Sequence, residues 1–160
     1  MDYFFGGYRA SLPADRQALF NRYRIVDVAY KVVGVGSVGT RCYVVLLAGW
    51  QDDHLLLQVK EARASVLANM VGPMPYENNG ERVVLGQRLM QSATDIFLGW
   101  STGPKGRHYY VHQLRDIKLA PNIVNFTPRL LSRYARLCGA TLARAHVSSK
   151  RGNKPPVRQN

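Results

Sequence analysis

The feature that most constrains this chain is a glycine cluster set between two runs of β-formers. Gly34-Val35-Gly36-Ser37-Val38-Gly39-Thr40 follows Ile25, Val26, Val28, Tyr30, Val32 and Val33, and precedes Cys42-Tyr43-Val44-Val45-Leu46-Leu47. β-branched and aromatic residues favour strands, and glycines interrupt them, so the pattern predicts strand, tight loop, strand. Gly34, Gly36 and Gly39 also satisfy the spacing G-x-G-x-x-G, with Asp52 and Asp53 roughly twenty residues on, as in a dinucleotide-binding fingerprint. In that fold, however, the third glycine lies in a helix whose N-terminus holds the pyrophosphate. Here Thr40-Arg41-Cys42-Tyr43-Val44-Val45 follows, a poor start for a helix. The cluster therefore reads as a flap whose backbone amides can lie over phosphates, because glycine permits close approach and positive φ.

A polar turn at Gln51-Asp52-Asp53 and a third apolar run, Leu55-Leu56-Leu57-Gln58-Val59, extend the two strands into an antiparallel meander. Lys60 ends that run, where a V-A-I-K-like segment carries its phosphate-contacting lysine. A carboxylate on the next helix would hold it. Glu81 is placed for this; Glu61 is nearer, but strand alternation points it to the opposite face from Lys60. A plain glycine-containing hairpin with a surface Lys60 and a solvated Glu81 fits the same residues.

The remaining elements follow from caps and periodicity. Ser11 is expected to cap a helix with Pro13 and Asp15 in its first turn and Leu12, Leu19, Phe20 and Tyr23 on its buried stripe. Residues 62–70 read as helical, and Asn79-Gly80 can open a second helix reaching Met90. Ile96-Phe97-Leu98 and Tyr109-Tyr110-Val111 read as two more strands about the turn Gly103-Pro104-Lys105-Gly106. Thr127 caps a last helix that Pro128 opens, with Leu130, Tyr134, Leu137, Thr141 and Ala145 at helical spacing, widened by Leu131, Cys138 and Leu142. The organisation expected is a helical segment over 1–24, an α+β region over 25–118, a C-terminal helix over 119–147 and a basic, disordered tail over 148–160.

Charge and composition narrow the partners. The 160 residues suit one domain, and the net charge of +12, from 22 Lys+Arg against 10 Asp+Glu, favours anionic ligands. The basic residues are scattered, apart from Lys150, Arg151, Lys154 and Arg158, which argues against a nucleic-acid interface. No apolar run approaches the ~20 residues of a membrane span. The N-terminus lacks the features of a secretory signal. Two cysteines make no disulfide framework, so the cytoplasm is the default compartment. His54, His108 and His112 lack metal-ligand spacing, so no metal site is expected.

The stretch 26–41 resembles the bacterial domain-of-unknown-function 2252 family, as do Leu57-Gln58-Val59-Lys60-Glu61-Ala62, Gly80-Glu81-Arg82-Val83-Val84, Asp95-Ile96-Phe97-Leu98-Gly99-Trp100 and Tyr110-Val111-His112-Gln113-Leu114-Arg115-Asp116. The resemblance runs over about residues 8–147 in the family's order. Members of that family look distantly like aminoglycoside phosphotransferases and other protein-kinase-like enzymes. The resemblance thus implies an α+β fold with a five-stranded antiparallel sheet, like the small lobe of a kinase plus one large-lobe helix. It implies ATP, with Mg, as the ligand. Gly34, Gly36, Ser37 and Gly39 would approach the phosphates, Lys60 would contact them, Glu81 would orient Lys60, and Gln113 and Leu114 would present hinge backbone groups to adenine.

Longer family members carry catalytic and metal-holding loops upstream of this region, so a truncated nucleotide-binding domain is expected, with no catalytic residue of its own. Asp95 and Asp116 stand outside any catalytic-loop context, and a turn-stabilising role suits Asp116 as well as a functional one. His146 reads as a helix-end histidine facing the macrodipole. The alternative is a non-enzymatic assembly module, a homo-oligomer or the companion of a partner chain that covers the apolar face of the last helix.

Overall fold

A computed structural model describes residues 2–32, 39–72, 75–114 and 121–152. The elements run α1 (Asp2–Ala10), α2 (Ala14–Phe20), β1 (Arg24–Tyr30), β2 (Cys42–Ala48), β3 (His54–Glu61), α3 (Ala68–Val71), α4 (Asn79–Met90), β4 (Gly99–Thr102), β5 (His108–Gln113) and α5 (Pro128–Gly152). The five strands form one antiparallel sheet in the order β1-β2-β3-β5-β4, the α+β architecture expected. The chain divides into two compact units, residues 1–85 with 94–114, and residues 86–93 with 115–160; α4 begins in the first and ends in the second.

The glycine cluster joins two paired antiparallel strands. Tyr30 stands opposite Tyr43, and the Lys31 N–H donates to the Cys42 carbonyl over 2.8 Å. A strand follows the cluster, which rules out the strand-to-helix turn of a dinucleotide-binding fold. Gly34, Gly36 and Ser37 lie outside the described residues, whereas Gly39 adopts φ +76°, a conformation that only glycine takes cheaply. The β2–β3 turn places Gln51 and Asp52 at φ 54° and 59°, the paired left-handed residues of a two-residue hairpin. A register shift between Ile25 and Asp27 lets Ile25 and Val28 face the core together.

One face of the sheet carries the core: Leu55, Leu57 and Val59 of β3, with Val45, Leu47, Tyr109 and Val111 beside them. Helices α1 and α2 and the link between them cover it through Phe5, Tyr8, Leu12 and Phe20. Helix α1 lies within the helical segment expected over 1–24, although Gly6-Gly7 lowers helix propensity. Gly7 serves packing: a Cβ there would meet the Ser101 Oγ at 2.8 Å, so its absence lets α1 approach β4. Three bonds lock the contact. The Tyr8 hydroxyl donates to the Phe97 carbonyl (2.6 Å), the Ser101 hydroxyl to the Phe4 carbonyl (2.7 Å), and the Trp100 N–H to the Ser11 Oγ (2.9 Å).

Four other expectations need correction. Ser11 does not cap α2; Pro13 precedes that helix, and Ser11 joins α1 to β4 instead. The helix expected over 62–70 shrinks to α3. The strand expected at Ile96-Phe97-Leu98 begins only at Gly99, because Asp95 closes a turn by accepting the Phe97 N–H (2.8 Å) and the Leu98 N–H reaches the Asp95 carbonyl (3.1 Å). The last helix runs past Val147 to Gly152, into the segment expected to be disordered.

In the second unit, Thr127 caps α5 as expected, its Oγ1 accepting the Leu130 N–H at 3.3 Å, and Phe126 packs edge-on against Tyr134 at 5.6 Å. Leu130, Leu131, Leu137 and Leu142 of its apolar stripe are exposed. No helix among the described residues is long and apolar enough to cross a membrane.

Candidate functional site

Residues directly opposite across antiparallel strands share a face. On the face away from the core this rule sets a row across four strands, Cys42, Lys60, Tyr110 and Trp100, with a second row of Val44, Gln58 and His112. Lys60 is partly buried between Cys42 and Tyr110. Gln58, buried, donates through Nε2 to the Cys42 Sγ over 3.1 Å. The Tyr110 and His112 rings stack with centroids 5.9 Å apart and planes 19° from parallel. Burial, and then the neighbouring Cys42, push the Tyr110 hydroxyl up from its ordinary value, so it stays neutral. The result is a polar and aromatic surface around one ammonium group.

Lys60 and Glu81 do not meet. Among the described residues neither forms an ion pair. Glu81 lies in the first turn of α4, where the helix dipole favours a carboxylate without a cationic partner. That helix start is fixed from outside: Asn78 Oδ1 accepts the Gly80 and Glu81 N–H groups at 2.7 and 3.3 Å, and His108 Nδ1 accepts the Asn79 N–H at 3.1 Å. Gly80 is required there, since a Cβ would lie 2.2 Å from the Tyr109 carbonyl oxygen.

The carboxylate that is engaged is Glu61. It faces away from Lys60, opposite Tyr109, as alternation requires. Its Oε2 accepts the Arg41 N–H (3.0 Å) and the Arg41 Nη1 (3.3 Å), and its Oε1 pairs with the Arg63 Nε at 3.6 Å. Burial works to raise this carboxyl, but the Arg41 N–H and the Arg63 and Arg41 guanidinium groups outweigh it and hold it below the ordinary carboxylate value. Arg63 Nη2 also donates to the Gly39 carbonyl, and Arg82 Nη2 donates to the Arg63 carbonyl at 2.8 Å. The C-terminal end of the glycine loop is thus tied through Arg63 to β3 and to α4. Sequence reasoning missed this network. Its only trace is an arginine on either side of the meander within reach of Glu61, a pattern that has meaning only once the register is known.

The hinge residues are committed within the chain. The Gln113 N–H donates to the Asp95 carboxylate, and the Leu114 N–H to the Leu56 carbonyl at 2.8 Å. The donors that an adenine ring would use at these two positions are therefore occupied. Asp95 binds two backbone N–H groups, those of Phe97 and Gln113, and acts as a staple between the α4–β4 connection and β5. Asp116 lies outside the described residues.

Two clefts open in the first unit. One, of about 430 Å³, lies between α1 and β4, with Gly6, Gly7, Asn78 and Trp100 on its walls. The other, of about 310 Å³, lies on the core face beneath α1, lined by Phe4, Phe5, Val28, Tyr43, Val59 and Tyr109 among others. Neither is lined by Lys60, Glu81, Gln113 or Leu114. Among the described residues, no three His, Cys, Asp or Glu side chains cluster as a metal site.

Comparison with known proteins gives one family. The family described as "uncharacterized protein conserved in bacteria (DUF2252)" matches residues 1–158, and the chain belongs to it. No curated protein and no solved structure shows a significant match.

Proposed function

Proceeding from that membership, we propose that the chain is a nucleotide-binding domain in which the Lys60 face of the sheet receives the phosphates of ATP, with Mg. The observation that carries the reading is the placement of Lys60. It lies on the face that the core does not use, at the end of β3, unpaired among the described residues and flanked by Cys42 and Tyr110. A half-buried ammonium without a carboxylate partner favours an anion, since desolvation is offset only when an opposite charge arrives. The order of elements supports the same reading: a glycine loop between two strands, a lysine on the third, and a helix carboxylate after it. Asp95 is spent on backbone N–H groups. The reading therefore assigns this chain binding and no phosphoryl transfer.

The test is a thermal-shift titration with Mg-ATP against Lys60→Ala. Wild type is expected to gain stability that saturates with nucleotide, about 2.7 kcal/mol at a hundredfold excess over Kd. The variant is expected to lose that gain. No shift of the wild type at millimolar Mg-ATP overturns the reading.

A second reading, assembly through α5, is favoured by the exposure of Leu130, Leu131, Leu137 and Leu142 on one helix, with Leu137 63 % exposed. Light scattering on the chain distinguishes it: a monomer at tens of micromolar rules out self-assembly.

A further inference from the structure

The cleft on the core face is independent of the Lys60 surface, because it lies on the opposite side of the sheet. Along that side the chemistry changes in one direction. Val28, Val45 and Leu57 stand abreast in one row, then Tyr30, Tyr43, Val59 and Val111, then Glu61 and Tyr109. Arg107, extended at φ −74° and ψ 137°, continues β5 two residues before Tyr109 and so falls on the same face. Arg41 likewise precedes Tyr43 by two residues, with its guanidinium on Glu61. Along this face the apolar residues of the cleft thus give way to Tyr109, which lines it, and then to Arg41, Glu61 and Arg107, which stand beyond its lining residues.

Packing alone does not close this space. Phe4, Val28 and Tyr43 pack against the core cluster but remain only partly buried. The rings of Phe4, Tyr43 and Tyr109 hold one another apart, with Phe4 edge-on to Tyr109 at 5.6 Å and Tyr43 tilted to Tyr109 at 6.4 Å. The resulting volume of about 310 Å³ lies at the lower end of ligand pockets. At ~30 Å³ for each water-sized group, it takes about ten such groups. Burial, then Tyr43 and Glu61, push the Tyr109 hydroxyl up, against Arg41 and Arg107, so Tyr109 faces the cleft as a neutral hydrogen-bond donor.

We propose that this cleft binds a small amphipathic anion, an apolar chain or ring of about ten heavy atoms ending in a carboxylate. The apolar part lies between α1 and the valines of the sheet. The carboxylate points toward the arginine end, where the Tyr109 hydroxyl and Arg107 receive it. The excess of arginines at that end selects an anionic head over a cationic one, and the aromatic walls select an apolar body over a sugar or nucleotide.

Isothermal titration of the full chain with octanoate, and with 1-octanol as its uncharged counterpart, tests both halves. Octanoate is expected to saturate a single site and to bind about tenfold more tightly than 1-octanol, the effect of one charged contact. Arg107→Ala should remove most of that preference while leaving 1-octanol binding unchanged. Val28→Phe, which fills the cleft from the edge strand β1, should weaken both ligands about tenfold or more. If circular dichroism shows that Val28→Phe does not fold, the ring resonances of Tyr43 and Tyr109 in the wild type decide: both should shift on octanoate titration. Absence of saturable octanoate binding at millimolar ligand, equal binding of 1-octanol, a folded Val28→Phe that titrates like wild type, or unmoved tyrosine rings would overturn the proposal.

Discussion

Along β3, Leu55, Leu57 and Val59 alternate with Leu56, Gln58 and Lys60, and the two sets meet different surroundings. The first set packs beneath α1 and α2 with the aromatic rings of Phe5, Tyr8, Phe20 and Tyr109. The second shares its face with Cys42, Tyr110, His112 and Trp100, where hydrogen bonds and ring stacking replace aliphatic packing. A strand has period two, so one stretch of sequence serves both faces at once. The face that α1 closes carries the apolar cluster, and the opposite face carries the polar and aromatic row around Lys60.

Substitution of neighbours on β3 is the most direct way to break this comparison. Leu57 is fully buried, and Leu57→Ala is expected to lower stability by about 3 kcal/mol in urea denaturation, through lost transfer energy and an unfilled cavity. Leu56, 37 % exposed on the other face, should cost under about 1 kcal/mol when cut to alanine. Equal costs would mean that both faces carry core. The attachment of α1 is the next largest effect. Tyr8→Phe removes the donor to the Phe97 carbonyl and leaves a buried acceptor unsatisfied, an expected loss of about 1–2 kcal/mol. Hydrogen exchange should show α1 opening faster in that variant while β3 keeps its protection.

Glu61 sharpens the comparison at a place where charge enters the core face. Its carboxyl is held below the ordinary value of 4.5, so the folded state binds its proton less readily than the unfolded chain. The stabilisation is therefore present above pH 4.5 and is lost as pH falls through the lower folded value. Glu61→Gln should cost about 1 kcal/mol at neutral pH and flatten the acid limb of a stability–pH profile. An unchanged acid limb would show that the Arg41 and Arg63 contacts do not persist in solution.

The sheet was legible because its signals are local. The glycine cluster, the Gln51-Asp52 turn and the alternation in β3 each specify a strand boundary without reference to the rest of the chain. The start of α4 at Asn79-Gly80 and the Thr127-Pro128 cap were legible for the same reason. What escaped depends on distant partners. The close approach of Gly7 to Ser101 leaves no mark in the sequence, and Ser11 reads as a cap until the Trp100 N–H claims it. The Lys60–Glu81 pairing was expected from the order of strand and helix, whereas the carboxylate that arginines hold is Glu61, through a register that no spacing reveals. The hinge donors of Gln113 and Leu114 are spent on Asp95 and Leu56 for a similar reason: the β5 end is fastened before any ligand reaches it.

The smallest expected effect decides most about the polar face. Lys60→Ala should change stability by less than about 0.5 kcal/mol, because the ammonium has no ion pair among the described residues and its aliphatic stem is only partly buried. This near-neutrality is what makes the nucleotide titration interpretable. A variant as stable as wild type that loses its response to Mg-ATP has lost a ligand contact and not a fold. Should urea denaturation instead show a loss of 2 kcal/mol or more, Lys60 would be a structural residue bridging Cys42 and Tyr110. The two faces of the sheet would then differ in polarity but not in task.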